Sequence, residues 1–222
     1  MQIVKTLSLK NKFFYPSLFF KKLALNLKFL SVKIILFLKG VKIKIVKDPE
    51  VLKQIFKIRK NVYEEKKYLN FDKNCEIWSD EYDKCAINIG AFKKGRVIGA
   101  VRILTPQKLC FPIENYFNLR KKIPNNCVEI SKLVISNNFR GGKRFILIGL
   151  MKKALDWSLK NQFNYWIFFT PKKLADSFKK MKINFVEFKT NGLTEKESSN
   201  RNQMSGYFKQ DIRAYFLDLN QV

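Results

Sequence analysis

The chain has no histidine among its 222 residues, and only 18 acidic side chains against 44 lysines and arginines. Without histidine, Ser-His-Asp and Cys-His nucleophile pairs are excluded, and so are histidine-ligated metals. Any general base must be a carboxylate, a thiolate, a lysine, a tyrosine or a chain of waters. Cysteine is scarce too: Cys75, Cys85, Cys110 and Cys127 share no C-x-x-C spacing, which argues against zinc knuckles and thioredoxin-like chemistry. No metal is expected, and a cytoplasmic protein with reduced thiols is the simplest reading. The shortage of acids leaves a net charge of +26. AT-rich coding is one origin for so many lysines. The field they create still favours anionic partners: nucleic acid, acidic lipid or an acidic carrier protein.

What is present describes a folded protein. A hydrophobic content of 46% and an aromatic content of 14% fit a globular chain, and the length allows one large domain with an extension. The extension is expected over residues 1–40 and the domain over 41–222. From Met1 to Lys47 there are eleven lysines and no acid. Wound as a helix, residues 17–40 place Lys21, Lys22, Lys28, Lys33 and Lys39 within an arc of about 140°. Leu23, Leu27, Leu30, Ile34, Phe37 and Leu38 fall opposite. Such a helix suits the surface of an anionic membrane, at its inner face, and carries too many charges to span it. A helix packed on the domain and a processed targeting peptide are the competing readings.

The remainder reads as alternating elements. "VKIKIVKD" alternates as a half-buried strand, and Asp48-Pro49 opens a helix with apolar residues at Ile55, Phe56, Ile58, Val62 and Tyr63. A polar loop follows, then "AINIGAF" and "RVIGAVRIL" as a hairpin turning at Lys93–Gly95. After a loop over 106–124 come the strand 127–135, "NNFRGGKR", a helix from Phe145, and the buried strand "YWIFFTP". A short helix (172–181) and the strands "INFVEFK" and "IRAYFLDL" close the chain. The fold class is α/β (α+β), a mixed sheet with helices on its faces. One residue stands out in the central strand: Glu129, in "VEISKLVI", is a carboxylate where burial is expected.

A strand running into "FRGG" and a helix offers free backbone N–H groups to an anion, with Lys143 and Arg144 adding charge. With the element order, this resembles the GNAT acyltransferase superfamily, which implies a mostly antiparallel sheet. Lys143 stands where that loop usually has its second glycine. Five blocks in order, "RKNVYEEKKYL", "SDEYDK", "GRVIGAVRIL", "FPIENYF" and "VEISKLVI", are similar to the autoinducer synthase group. That group comprises acyl-homoserine lactone synthases, N-acyl amino acid synthases and exosortase-associated acyltransferases. The resemblance implies transfer of a fatty acyl group from an acyl carrier protein or coenzyme A thioester to an amine. Arg59, Asp80, Asp83, Arg102 and Glu129 match the group's charged catalytic set, with Glu129 as base. Lys132 replaces its usual arginine. Val134, Ile135, Arg140, Gly141, Gly142, Lys143 and Arg144 would hold the donor. Lys152 and Lys153 would join them in meeting an acidic carrier, and Phe168 and Phe169 would wall the acyl chain. The alternatives are an inactive GNAT-like protein at a membrane surface and a nucleic-acid-binding protein. Against the latter, the aromatics sit on buried-looking strands and no binding module is recognisable.

Overall fold

A computed structural model describes residues 27, 29–72, 74–106, 111–119, 123–140, 144–179, 183–193 and 205–221. Helix α1 covers 29–38 and ends at Gly40, whose φ of +65° is the left-handed cap conformation glycine adopts readily. β1 (Val41–Val46) follows, and then α2 (Pro49–Glu65), opened by the Asp48 carboxylate accepting from the Glu50 and Val51 amides. β2 (Ile87–Lys93) and β3 (Arg96–Leu104) form the predicted hairpin. Lys94 and Gly95 both have positive φ, as a two-residue turn matched to strand twist requires.

α3 (Pro112–Tyr116) and β4 (Phe117–Leu119) lie where the sequence suggested only loop. β5 (Cys127–Ile135), α4 (Phe145–Lys160), β6 (Tyr165–Pro171) and α5 (Lys172–Lys179) follow as expected. The predicted strand "INFVEFK" shrinks to β7, the pair Val186–Glu187, both solvent-exposed. β8 (Thr190–Leu193), the single turn α6 (Ser205–Phe208) and β9 (Ile212–Asp218) complete the described chain.

The main sheet has seven strands in the order β1-β2-β3-β5-β6-β9-β7, and β4 pairs with β8 separately. Every neighbouring pair in the main sheet is antiparallel except β5–β6. That parallel pair is short. Only Cys127–Glu129 and Tyr165–Ile167 are in register, after which β5 stays with β3 while β6 stays with β9. The two central strands therefore part at Glu129 and Ile167, opening a fork in the sheet.

Helices cover both faces. On one, α4 packs Leu150 and Ala154 against Ile89, Val101 and Ile103, and α1 adds Val32 and Leu36. Gly149 permits this closeness: a Cβ there would sit 2.5 Å from Ile43 Cδ1 and 2.7 Å from Leu36 Cδ1. On the other face, α2 buries Ile55, Ile58, Arg59, Val62 and Tyr63, a stripe with helical spacing. Leu150 is fully buried at the centre of the first layer. Leu150→Ala should cost about 2–5 kcal/mol, read as a lower urea midpoint, because the neighbouring layers close only partly around the void. A midpoint within error of wild type would contradict that packing.

Candidate active site

The face beneath α2 carries a polar row through an otherwise apolar sheet. Asn88 lies opposite Arg102, and Arg102 opposite Ser131, so three neighbouring strands present polar side chains on one line. Arg59 drops onto this row from α2, one turn before Tyr63. Its guanidinium donates to Asp83 Oδ2 at 2.7 Å and to Asn88 Oδ1 at 3.2 Å. Arg102 donates through Nε to Ser131 Oγ at 3.1 Å and through Nη1 to Asp80 Oδ1 at 2.5 Å, and lies 3.2 Å from Asp83 Oδ1.

The two aspartates come from one tight turn. Asp80 precedes a single 3-10 turn, Glu81–Lys84, and the Asp80 amide donates to Asp83 Oδ2 at 2.9 Å. Both carboxylates therefore face the arginines from a fixed loop. Lys132 closes the network: its Nζ is 3.3 Å from Asp80 Oδ2 and 3.7 Å from the centre of the Trp78 ring. Arg59, Asp80, Asp83, Arg102 and Lys132 thus form one connected set of ion pairs.

Lys132 reaches this position because β5 bulges. Arg102 faces Ser131 but Ala100 faces Val134, so Lys132 and Leu133 together oppose Val101. Lys132 adopts φ +53°, a left-handed conformation unfavourable for a lysine. Burial drives its ammonium from the usual lysine range down to about 7, with Arg102 adding repulsion. Asp80 moves the other way. Burial alone would raise it, but Lys132 and Arg102 outweigh that effect and hold it down at about 2.

Glu129 is different in kind. It is fully buried at the fork, and among the described residues it joins no ion pair. Its Oε2 accepts from the Ile113 amide at 2.9 Å, while Oε1 has no hydrogen-bond partner. Burial raises its carboxyl to about 7, and Ile113, Arg102 and Lys132 offset only part of that cost. Arg102 Nη2 is likewise buried without a partner. With Arg59 Nε and Asp83 Oδ1, which also lack a hydrogen-bond partner, the site keeps two spare donors and two spare acceptors. Unmatched buried polar groups are costly, and a ligand that satisfies them gains accordingly.

These groups line a cavity of about 210 Å³. Trp78, Tyr63, Tyr82, Tyr116, Phe169 and Tyr207 form its aromatic walls, with Ser79, Asn115 and Ser131 as further polar contacts. Tyr207 comes from α6, whose Gly206 lies against the backbone of Lys67; a Cβ there would be 1.8 Å from the Lys67 oxygen. Asn88, Trp78 and Tyr207 were missed from the sequence. Asn88 left a trace, a lone amide among apolar residues of β2, whereas α6 follows no periodic pattern.

The donor-side candidates are less gathered. Val134 is buried and Ile135 half-buried on β5 beyond the bulge. Arg140 donates to the Ile135 carbonyl and to Glu65. Arg144 precedes α4 at φ +58° and reaches the Ser177 carbonyl. Gly141, Gly142 and Lys143 lie outside the described residues. Lys152 pairs with Asp156 and lies over the Phe29 ring. Of the two aromatics on β6, Phe169 faces the cavity, while Phe168 packs against Phe185 and Tyr215 on the opposite face. Among the described residues no three Cys, Asp or Glu side chains are grouped to hold a metal ion.

Solved structures share this architecture. The acyl-homoserine lactone synthase LasI superposes with a TM-score of 0.64 at 19% identity, covering 82% of this chain and 91% of its own. BjaI, a coenzyme A-dependent acyl-homoserine lactone synthase solved with SAM and isopentyl-CoA, gives 0.62 at 16%, covering 81% and 84%. FeeM, an N-acyl amino acid synthase from uncultured soil microbes, gives 0.57 at 13%, covering 81% and 91%. A GNAT-like acyltransferase of the autoinducer synthase group is the class that fold and family define. The family model of the N-acyl amino acid synthase FeeM matches residues 54–188, well over half of the chain. The chain belongs to that family and is an acyltransferase. No curated protein matches it by sequence.

Asp83 is the shared anion between two buried guanidinium groups, with side-chain exposures of 1% for Arg59, 0% for Arg102 and 4% for itself. Asp83→Ala should destabilise the fold by about 3–5 kcal/mol, because it strands buried charge. Thermal or urea unfolding measures this, and a loss below about 1 kcal/mol would show that the network is not coupled.

Proposed function

We propose that the protein transfers a fatty acyl group from a carrier thioester to the amine of an amino-acid-sized acceptor, with Glu129 as the general base. The observation that carries this reading is Glu129 itself: a buried carboxyl near neutrality, with one free oxygen, at the point where β5 and β6 part. An acceptor amine arrives as an ammonium. Glu129 Oε1 takes one of its protons, and the freed nitrogen attacks the thioester carbonyl. As the C–N bond forms and the C–S bond breaks, the nitrogen sheds a second proton and the carrier leaves as a thiol. The fork gives the thioester a route through the sheet to the cavity, and a backbone N–H of the 133–135 segment is the donor for the developing oxyanion.

The charged network selects the acceptor. Asp80 remains ionised at any physiological pH and favours a cation. Lys132 and the free Arg102 Nη2 favour a carboxylate. Together they suit a zwitterion such as an α-amino acid, and the aromatic walls suit an apolar side chain. Lysine at 132 supplies a single point charge where a guanidinium would offer a fork, so a carboxylate is held without a bidentate constraint. Acyl carrier protein is our preferred donor over coenzyme A, since the chain is strongly basic and that carrier is acidic. Arg140, Gly141, Gly142, Lys143 and Arg144 form the proposed entry for its phosphopantetheine arm.

Activity should peak close to neutral pH. Below about 7 Glu129 holds its proton and cannot accept another; above about 7 Lys132 loses its charge. The test is incubation with acyl carrier protein or coenzyme A thioesters and a panel of amino acids, with products read by mass spectrometry. Glu129→Gln should lower kcat about 10²–10⁴-fold and remove the rising limb of the pH profile while leaving the fold intact. Acylated amino acids are the expected products. Full turnover by Glu129→Gln would remove the base assignment, and no acylated amine from any donor would remove the reading itself.

A further inference from the structure

Helix α1 has two apolar faces and uses only one. Val32 and Leu36 point inward, buried in the layer with Leu150. A helix with that much contact would ordinarily show water a polar outer face. Here Leu27, Leu30, Ile34, Phe37 and Leu38 are all exposed, Phe37 by 81% and Leu38 by 76%. At 100° per residue they form one stripe about 100° wide, roughly opposite Val32 and Leu36. The sequence had placed these side chains together but not the inner stripe, so the packed and surface-bound readings of this helix describe its two sides.

The charge around the stripe says what covers it. Lys33 flanks it, and Lys39 is exposed just beyond its end. Upstream, residues 1–28 carry six lysines and no acid, and the first acidic residue of the chain is Asp48. An apolar stripe bordered on one side by Lys33, in a segment rich in lysine and free of acid, fits the headgroup boundary of an anionic bilayer, where acyl chains meet the leucines and phosphates meet the lysines. No described helix is long and apolar enough to cross a membrane. We propose that α1 docks the acyltransferase domain on an anionic lipid surface through its outer stripe. The cavity opens under α2, on the other face of the sheet from α1, so docking leaves acceptor access free.

Co-sedimentation of the full chain with vesicles tests this. The protein should pellet with phosphatidylcholine vesicles containing phosphatidylglycerol and stay in solution with phosphatidylcholine alone. Combining Phe37→Asp with Leu38→Asp should weaken partition at least tenfold without moving the urea midpoint, since neither side chain is packed. Phe37→Trp gives a second readout, a blue-shifted emission on adding anionic vesicles. Three results would overturn the proposal: no binding to anionic vesicles, binding unchanged by the aspartate pair, or a stripe that instead holds two copies together. The last would show as a dimer in sedimentation velocity that the aspartate pair dissociates while vesicle binding persists.

Discussion

The buried ion-pair network beneath α2 is the constraint on which the other features depend. Arg59, Arg102 and Lys132 are cations in a region nearly closed to water, with Asp80 and Asp83 as their fixed anions. A charge so placed is tolerable only with its partners in position. Those partners come from α2, from the turn at 80–84, from β3 and from the bulge of β5. Each element is therefore held to its neighbour by an electrostatic requirement as well as by apolar packing. Such a network is weak evidence for stability in itself, since desolvation consumes much of the Coulomb gain. Its consequence is geometric: it fixes which side chains meet.

It also sets the protonation state at the fork. With Asp80 and Asp83 ionised, the three cations outnumber their anions by one. An ionised Glu129 restores neutrality, and so does a deprotonated Lys132. Both groups titrate near 7, in opposite directions from their ordinary values, because burial penalises each charged form. The site is thus poised at neutral pH to give or take one proton at little cost. Taking that proton from an ammonium is the step that amine acylation requires before the nitrogen can attack.

Much of this was legible in the chain. The hairpin, the α2 stripe and the central strand follow from period-2 and period-3.6 patterns that long elements display clearly. The ordered blocks mark Arg59, Asp80, Asp83, Arg102 and Glu129 as a set, and the structure brings their side chains to one place. What the sequence could not display was produced by tertiary contact. α3, β4 and β8 are too short to show periodicity, and the two strands exist by pairing with each other across about 70 residues of chain. Lys132 read as a defect in a motif, because a bulge and a positive φ have no sequence signature in lysine. Tyr207 reaches the cavity only through the close contact of Gly206 with Lys67. α1 showed one apolar stripe in projection where packing reveals two.

Glu129 is a fully buried carboxyl raised to about 7, with one oxygen free. Carbon-13 NMR of protein labelled at the glutamate side-chain carboxyl measures this directly, with Glu129→Gln identifying the resonance. One glutamate should titrate near pH 7 and vanish in the variant. A Glu129 resonance titrating in the ordinary range near 4.5 would contradict it.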